Sequence, residues 1–497
     1  MDGLISRDPE GATHRSYDLA IVGGGIYGIT VALEAAQRGL RALLIERDDF
    51  GGATTWNSLR IIHGGLRYLQ SLDLRRFFES IAERRWFLRT FPELVRPLAC
   101  LMPLYGRGLK RPSVFRFALR VNDVLSWRRN HGVRDDCHIP AGRVLSVGET
   151  VDLFPSVERR GLVGGAWWTD AAMPTSQRVV IELFRWAAAA GATCLNYVEV
   201  ESVLTASGRV DGLSAIDRES GAVLEYRAPI VINCAGPWCR EVSRRADRDV
   251  PSLFHSSLAF NVLLDVEPPS RAAIAVAPRV PGGRTYFLYA WKGRLLAGTC
   301  HLACRTYQEP SAPSDGEVDA FLGELRAAVP GLAATREKLS RVFWGHLPAR
   351  RPGTTEIAVR PVVVDHAAAG GPRGLFSISG VKFTTARLVG ARMLDAIAGR
   401  RADRGRRGEG SPRPALRNVS SIETLRRRLE TEPERVEAEI DTLVKTEAVL
   451  QPDDLLLRRT DWGLDPDCAK RVVEAVSRHV AAASGRGAVR GDPQASR

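Results

Sequence analysis

The chain has 497 residues, of which 44% are hydrophobic and 26% charged, a composition typical of a globular protein with two or three domains. Its net charge of +13 is carried mainly by arginine and suits anionic partners, whereas no motif that reads nucleic acid accompanies it. The eight scattered cysteines lack Cys-x-x-Cys pairs and exclude a disulfide scaffold. No apolar run approaches the roughly 20 residues that span a bilayer. The N-terminal residues lack the apolar segment of a secretory signal, so we expect a cytoplasmic protein.

The first predicted elements, over residues 17–46, form a nucleotide-binding unit. A buried strand at residues 19–22 is followed by Gly23, Gly25 and Gly28 in G-x-G-x-x-G spacing, then by a helix and a second strand that ends at Glu46. The glycines allow a tight turn, close approach of a pyrophosphate and close packing of the helix, and Glu46 can accept from ribose hydroxyls. Because an acidic strand end disfavours a 2′-phosphate, we expect FAD or NAD rather than NADP.

The next notable stretch is LRIIHGGLRYLQ, residues 59–70. It is apolar except for His63, Arg67 and Tyr68, which surround the pair Gly64 and Gly65. A buried charge needs a partner. The stretch by itself therefore fits a helix entered through a tight turn with a structurally paired arginine, and it also fits a binding segment.

Residues 107–134 carry eight Lys and Arg residues and one acid, Asp123, interleaved with apolar side chains. This pattern fits peripheral contact with an anionic membrane surface. It fits equally a helix that packs on the protein and exposes a solvated basic face. Both alternatives stay open at this point.

Two later segments repeat the strand-and-turn pattern of a nucleotide site. In VINCAGPW an apolar strand runs into Ala235 and Gly236, and in SISGVKFTT a strand runs into Gly380 and a helix whose first turn carries Thr384. That helix N-terminus suits the pyrimidine side of a flavin, where negative charge develops on reduction. Three such segments spread over most of the chain favour FAD, held along its length, over NAD bound by one compact βαβ unit.

The predicted architecture is an α/β FAD-binding domain of the Rossmann-like, glutathione-reductase type, with an antiparallel-sheet substrate domain and a C-terminal helical domain. The expected bounds are 17–100, 160–250 and 350–400 for the FAD-binding domain, 101–159 and 251–349 for the substrate domain, 399–415 for a linker, and 416–483 for the helical domain. A serine at position 420 or 421 is expected to cap the first helix of that last domain. Disorder is expected at 1–16 and 484–497.

The segments IVGGGIYG, GGATTWNSLRIIHGGLRYLQ, VINCAGPW, SGVKFTTAR and VLQPDDLLLRRTDWG together resemble the FAD-dependent glycerol-3-phosphate dehydrogenases, a family of the D-amino-acid-oxidase-like flavoproteins. IHGGLRYL and LLLRRT are specific to this family, and the resemblance covers most of residues 17–480. It implies noncovalent FAD and the oxidation of sn-glycerol 3-phosphate, or a related phosphorylated polyol, to the ketone (dihydroxyacetone phosphate) by hydride transfer to flavin. Family members deliver electrons to membrane quinone from a region like residues 107–134, which implies a peripheral location on the inner face of the cytoplasmic membrane.

The resemblance also assigns site residues by position. Arg67 is expected to face the substrate phosphate with Tyr68 beside it, Lys382 matches the family's active-site lysine, and Arg360 falls near a second phosphate-binding arginine. The residues expected along FAD are Gly23, Gly25, Ile26, Gly28, Glu46, Arg47, Thr54, Thr55, Ser58, His63, Gly64, Val200, Ala235, Gly236, Gly380, Lys382, Phe383 and Thr384.

The substrate half departs from the family pattern. Leu347 of WGHLPAR stands where the family has an active-site arginine, unless Arg350 or Arg351 compensates, and His301 of GTCH replaces the acid of the family's GTTD. These changes leave open a related flavoprotein that oxidises an amine, a 2-hydroxy acid or another secondary alcohol. They also leave open a flavin-binding protein without turnover.

The general base is a further expectation, because the family's substrate-domain histidine has no clear match. Removal of a hydroxyl proton near neutral pH favours a histidine. We expect His346 or His301 to serve, with His346 preferred because WGHLP follows a strand, and His63 as the next candidate. Cys300 and Cys304 bracket His301, but no second pair of ligands accompanies them, so no metal site is predicted.

Overall fold

The computed structural model describes residues 3–106, 111–280, 283–304, 310–399 and 412–484. Its strands form one six-stranded, one three-stranded and one nine-stranded sheet. The strands are β1 (Leu19–Val22), β2 (Ala42–Ile45), β3 (Ile61–Ile62), β4 (Arg96–Leu104), β5 (Arg143–Leu145), β6 (Gly164–Ala172), β7 (Thr193–Leu195), β8 (Val198–Ala206), β9 (Arg209–Asp217), β10 (Val223–Arg227), β11 (Val231–Asn233), β12 (Ser256–Leu264), β13 (Ala273–Val276), β14 (Tyr286–Trp291), β15 (Arg294–Ala303), β16 (Leu339–Pro348), β17 (Val362–Asp365) and β18 (Leu375–Ser379).

The helices connect and cover these sheets. They are α1 (Pro9–Thr13), α2 (Ile26–Gln37), α3 (Leu66–Gln70), α4 (Leu74–Thr90), α5 (Pro112–Leu125), α6 (Val147–Leu153), α7 (Ser176–Ala189), α8 (Cys239–Ala246), α9 (Asp315–Ala328), α10 (Ala386–Ala398), α11 (Ile422–Thr431), α12 (Pro433–Thr446) and α13 (Pro466–Ser484). Among the described residues, none of the helices is both long enough and apolar enough to cross a membrane.

The six-stranded sheet carries the nucleotide-binding motifs. Its order is β17-β18-β11-β1-β2-β7, and all neighbours are parallel except the edge pair β17 and β18. Every residue of β1 and β2 is buried, as expected for central parallel strands covered on both faces. Helix α2 packs against α7 and α10 on one face. The carboxyl ends of β1, β11 and β18 thus bring the three predicted nucleotide segments to one edge of the sheet.

The nine-stranded sheet is antiparallel except for the pair β4 and β13. Its order is β16-β12-β15-β14-β13-β4-β6-β3, with β5 paired to β6. One face packs on α9, and the other faces the loop that carries Trp56 and the C-terminal helices. Strand β6 was expected within the FAD-binding segment 160–250. It lies instead in this large sheet, because its nine residues pair with β4 over their whole length.

The C-terminal helices pack on the large sheet. Leu443 and Trp462 share a buried apolar cluster with Leu263 and Phe343 of the sheet. Ser421, rather than Ser420, caps α11, since its side chain accepts from the backbone N–H of Thr424 at 3.2 Å. The expected linker and C-terminal tail lie largely outside the described residues, at 400–411 and 485–497.

The expectation of a disordered N-terminus is wrong for residues 3–16. Ile5 is buried, and its N–H donates to the carbonyl of Thr446 at 3.0 Å. Asp8 caps α1 by accepting from the N–H of Gly11 at 2.9 Å, and Arg7 forms an ion pair with Asp217. The segment is therefore held between the three-stranded sheet and the C-terminal helices. The predicted α/β domain with a parallel sheet and the predicted helical C-terminal region are present, and the second sheet is antiparallel as predicted, except for the pair β4 and β13.

Candidate active site

The glycine turn after β1 has the geometry that a pyrophosphate requires. Gly23 has φ +103°, a left-handed conformation that favours glycine, and a Cβ on Gly28 would lie 1.9 Å from the carbonyl oxygen of Gly23. Gly25 is the N-cap of α2 and has no side chain with which to cap that end. The N–H of Ile26 donates to Thr55 Oγ1 at 3.0 Å, which holds the next nucleotide-binding loop against the helix start. A helix N-terminus of this kind attracts phosphate.

Glu46 follows β2 and contacts this glycine turn. Its carboxylate accepts from the N–H of Gly24 at 2.6 Å and from that of Asp48 at 2.9 Å. Burial raises the pKa of Glu46 to about 7, although the two N–H donors oppose the rise. A carboxyl group held here, at the end of β2, can accept from or donate to the hydroxyls of a ribose.

The loop over residues 51–58 packs on β16 of the large sheet. Thr54 donates to the carbonyl of His346 at 3.4 Å, and a Cβ on Gly345 would lie 2.8 Å from Thr54 Oγ1. Ser58 Oγ is buried and has no partner among the described residues. Thr54, Thr55 and Ser58 thus form one polar edge that ends near the large sheet.

The remaining predicted cofactor residues frame the same region. Ala235 follows β11 with its N–H bonded to Asn233 Oδ1 at 3.2 Å, and Gly236 has φ +54°. The guanidinium of Arg47 stacks on the ring of Trp238 at 4.2 Å. Val200 is buried in a cluster with Val22 and Ile45, the ends of β1 and β2.

The third predicted nucleotide segment, residues 380–385, follows β18 at the same edge of the six-stranded sheet. Gly380 has no room for a side chain, since a Cβ would lie 2.0 Å from the ring of Tyr27. The ring centres of Phe383 and Phe87 lie 5.9 Å apart, and Thr384 is buried just before α10. This helix N-terminus also lacks a side-chain cap.

His63 is held by a buried carboxylate. Its Nδ1 lies 3.1 Å from Asp170 Oδ2, while Asp170 also accepts from the N–H of Gly64 at 2.7 Å, from Trp168 Nε1 at 3.2 Å and from Arg84 at 3.1 Å. Burial tends to raise the pKa of Asp170, but the hydrogen bond and charge of His63 and the charge of Arg84 outweigh it and lower the pKa to about 2. Asp170 thus fixes Nδ1–H as a donor and leaves Nε2 on the half-exposed side of the ring.

Arg67 and Tyr68, which follow His63 in helix α3, belong to a group of cationic and aromatic side chains. Lys382 Nζ lies 4.2 Å from the centre of the Tyr68 ring. Burial and then the charge of Arg67 lower the pKa of Lys382 to about 8. Burial, Arg284 and Arg67 lower the pKa of His301 to about 4, so His301 is neutral at pH 7. The structure therefore brings four of the predicted site residues, Arg67, Tyr68, Lys382 and His301, into one group.

Arg360 lies at the rim of this group. It is exposed and close enough to Asp73 to help Arg76 lower the pKa of that carboxyl. Arg76 in turn stacks on Tyr68 at 4.6 Å and donates to the carbonyl of Val359 at 3.5 Å. Arg76 thus connects the two residues, because it stacks on the ring of Tyr68 and binds the backbone next to Arg360.

His346 does not join the group, and its expected orientation is wrong. Residues alternate between the two faces of β16. Gly345 contacts Thr54, so His346 points to the opposite face, where Nδ1 contacts the hydroxyl of Ser256 and Nε2 lies 3.1 Å from the carbonyl of Ser311. Both ring nitrogens are engaged away from the candidate cleft.

Sequence reasoning missed two residues of this site. Asp170 stands in an apolar strand, and Tyr27 lies inside the glycine motif, where its ring covers Gly380. A lone carboxyl group in an otherwise buried strand was the available signal for Asp170, because buried charges are paired.

The residues of the six-stranded edge fit FAD. They supply a helix N-terminus without a cap, a glycine cradle that a Cβ would fill, a carboxyl group at a strand end and an unpartnered buried hydroxyl. Together with the cationic group that contains Arg67 and Lys382, they define an oxidoreductase that uses a dinucleotide cofactor.

Comparisons with known proteins agree. Residues 18–396 match the family described as FAD dependent oxidoreductase. A glycerol-3-phosphate dehydrogenase of Synechocystis is 31% identical over 400 residues, which span 78% of this chain and 70% of the relative. A mitochondrial glycerol-3-phosphate dehydrogenase of Arabidopsis thaliana is 30% identical over 76% of this chain and 60% of its own length. The chain therefore belongs to the FAD dependent oxidoreductase family and, within it, to the glycerol-3-phosphate dehydrogenases.

Solved structures show the same fold. The structure of glycerol-3-phosphate dehydrogenase from Bacillus halodurans complexed with FAD superposes with a TM-score of 0.69 over 95% of this chain and 91% of that one, at 20% identity. An FAD-bound L-alpha-glycerophosphate oxidase from Mycoplasma pneumoniae gives a TM-score of 0.55 over 78% of this chain and 95% of its own, at 17% identity. The predicted family and the FAD-dependent oxidoreductase activity are confirmed.

Proposed function

We propose that this protein oxidises sn-glycerol 3-phosphate, or a closely related phosphorylated polyol, at its secondary alcohol to give the ketone, dihydroxyacetone phosphate. The observation that carries the proposal is the approach of Lys382 to Arg67 and Tyr68, which follow the oriented His63 by only four and five residues in the chain. The relatives that bear the name glycerol-3-phosphate dehydrogenase support the same substrate.

The cations account for the phosphate end of the substrate. Arg67 offers a planar fork of donors that suits phosphate, and Lys382 adds a point charge. The two cations face each other closely enough for Arg67 to lower the pKa of Lys382. A dianion between them relieves this repulsion, so the cleft favours a phosphate over a neutral group.

His63 accounts for the alcohol end. Because Asp170 receives Nδ1–H, the lone pair on Nε2 is free to accept the hydroxyl proton, and the carboxylate stabilises the imidazolium that results. Bound FAD supplies the acceptor for the hydride from C2. The N-termini of α2 and α10 offer fixed positive dipole ends to its phosphates and to the charge that develops on it.

His301 remains the alternative base. It lies near Arg67, and its Nδ1 is buried without a partner among the described residues. Its pKa of about 4 makes it a weak proton acceptor at neutral pH. We therefore prefer His63 as base and assign His301 to the wall of the substrate cleft.

An anaerobic titration tests the function. The purified holoprotein is mixed with sn-glycerol 3-phosphate, glycerol, an amine panel and 2-hydroxy acids, and flavin absorbance is followed. We expect bleaching at millimolar glycerol 3-phosphate and none with glycerol. Bleaching by an amine or a hydroxy acid alone would instead establish the second candidate. Leu347 favours that candidate, because the resemblance implies an arginine at this position.

We further propose that α5 contacts the membrane and that the electron acceptor is a membrane quinone. Phe117, Val124 and Trp127 are 71%, 70% and 77% exposed, and the exposed Arg116 and Arg120 lie among them. Apolar side chains within a basic face suit an anionic lipid surface. Residues 107–110 of the predicted segment lie outside the described residues.

Vesicle sedimentation tests the surface. Anionic vesicles are expected to bind the protein, and the double substitution Phe117→Ser with Trp127→Ser to weaken binding at least tenfold. Val223→Ser, at an exposed apolar residue of β10, is the matched control. Equal sedimentation of all three proteins would reject the membrane role without affecting the glycerol 3-phosphate assay.

A further inference from the structure

Tyr27 joins two parts of the site that are distant in sequence. It is the second residue of α2, inside the glycine motif. Its ring lies over Gly380, where a Cβ would come within 2.0 Å of the ring carbons. The cofactor-binding helix and the 380–382 turn are thus in direct contact.

The hydroxyl of Tyr27 makes three hydrogen bonds to that turn. It donates to the carbonyl of Lys382 at 2.9 Å and accepts from the N–H of Val381 at 3.1 Å and from that of Lys382 at 3.2 Å. One side chain therefore holds both backbone polar groups of Lys382. The backbone N–H groups of a turn that is not part of a helix or sheet would otherwise need water or another partner.

The position of this backbone limits where the ammonium group of Lys382 can lie. From this turn it extends to the ring of Tyr68, 4.2 Å from Nζ, and into the field of Arg67. A lysine side chain has four rotatable bonds, so its place depends on packing and on the position of its own backbone. A shift of about 1 Å in such a group is enough to cost a large factor in rate.

We propose that Tyr27 is a positioning residue, which sets the place of Lys382 in the substrate cleft by clamping the backbone of residues 380–382. The inference rests on the proposed function, in which Lys382 holds the substrate phosphate. It also makes the start of the FAD-binding helix and the phosphate-binding lysine one rigid unit.

Tyr27→Phe is the sharpest test, because it keeps the ring over Gly380 and removes the three hydrogen bonds. Tyr105→Phe is the matched control, since that hydroxyl donates to a single backbone carbonyl, of Glu158, at 2.9 Å. For Tyr27→Phe we expect unchanged FAD content and a KM for glycerol 3-phosphate raised about tenfold, the effect of one weakened charged contact. In a Lys382→Ala background the same substitution is expected to leave KM unchanged, because Tyr27 acts through Lys382.

A second measurement needs no substrate. The rate of acetylation of Lys382 in the holoprotein is followed against pH by mass spectrometry, with the exposed Lys470 as internal reference. In the wild type the rate is expected to rise with a midpoint near pH 8. In Tyr27→Phe the midpoint is expected to move up by about one unit, towards the ordinary lysine value of about 10.4.

The outcomes separate the two proposals. If glycerol 3-phosphate fails to bleach the wild type, the proposed function is wrong, while a shifted acetylation midpoint still supports the role of Tyr27. An unshifted midpoint in Tyr27→Phe overturns the inference. Loss of FAD with an unshifted midpoint overturns it as well, since Tyr27 would then only stabilise the cofactor domain.

Discussion

Replacement of Asp170 by Asn probes the proposed base most directly. The substitution keeps the size of the side chain and an oxygen for the N–H of Gly64 and for Arg84, but it removes the negative charge and the oxygen that accepts from Trp168 Nε1. An amide NH2 group facing His63 would donate to Nδ1 and place the ring proton on Nε2. The ring could then no longer accept the hydroxyl proton in the proposed geometry.

The expected effect on rate is large. Loss of a positioned general base costs about 10²–10⁴-fold, so we expect flavin reduction in Asp170→Asn to slow by at least 10²-fold at saturating substrate. KM is expected to change little, because Arg67 and Lys382 are untouched. The assay is anaerobic stopped-flow reduction by glycerol 3-phosphate.

The expected effect on stability has a defined pH range. The pKa of Asp170 falls from 3.8 to about 2 on folding, which corresponds to about 2–3 kcal/mol of stability. Because the pKa is depressed in the folded state, this contribution is present above about pH 4 and is lost as the pH falls through about 2. Asp170→Asn is therefore expected to be less stable than the wild type at pH 7 and to approach it in acid.

A matched pair on the surface is the control. Asp135 Oδ1 lies 3.5 Å from His138 Nε2, and the side chain of Asp135 is fully exposed. Asp135→Asn is expected to leave both the rate and the stability as in the wild type. If Asp170→Asn reduces its flavin at the wild-type rate, Asp170 does not orient the base, and His301→Gln becomes the decisive variant.

Four further outcomes are expected. Arg67→Ala is expected to raise KM at least tenfold with little loss of thermal stability, because a charged hydrogen bond to phosphate is worth about 1.5–3 kcal/mol; a lower melting temperature with an unchanged KM would mean a structural ion pair. KM is expected to rise as the pH passes about 8, where Lys382 loses its proton, and Lys382→Ala is expected to abolish that dependence. Arg459→Met removes the ion-pair partner of the buried Asp49 carboxylate; it is expected to lower the free energy of unfolding by about 3–5 kcal/mol and to weaken FAD binding. Arg478→Met, at the exposed pair with Glu437, is expected to lower it by less than about 1 kcal/mol. Acid precipitation is expected to release the yellow colour, whereas colour in the pellet would show covalent FAD.

The cofactor half was predictable because its signals are local. Gly23, Gly28 and Glu46 lie within one βαβ unit, and each has a role that only its residue type fills. The substrate half depends on contacts between distant segments. Asp170 meets His63 from a strand more than a hundred residues later, and nothing in the neighbourhood of either residue shows that they pair.

Two failed expectations have simple physical causes. The orientation of His346 follows from the two-residue period of β16, in which Phe343 and Gly345 face Thr54 and the C-terminal helices while His346 faces α9. The N-terminal residues look polar and loop-like, yet the Ile5 side chain is buried in the apolar cluster of α2 and α7, and its N–H donates to the carbonyl of Thr446 in α12. Such contacts come from tertiary packing and leave little trace in local composition.

The altered residues of the substrate half retain a balance of charge. If Leu347 and His301 stand in place of an arginine and an acid, as the resemblance implies, Leu347 removes one positive charge and His301, which is neutral at pH 7, removes one negative charge. The register of β12 with β15 and β16 aligns Ala259 with both His301 and Gly345, and Leu347 is two residues further along β16, so both changes occur on one part of the sheet. We infer that the two substitutions compensate each other electrostatically. Arg67 and Lys382 are then left with an undiminished net positive field for a phosphate dianion.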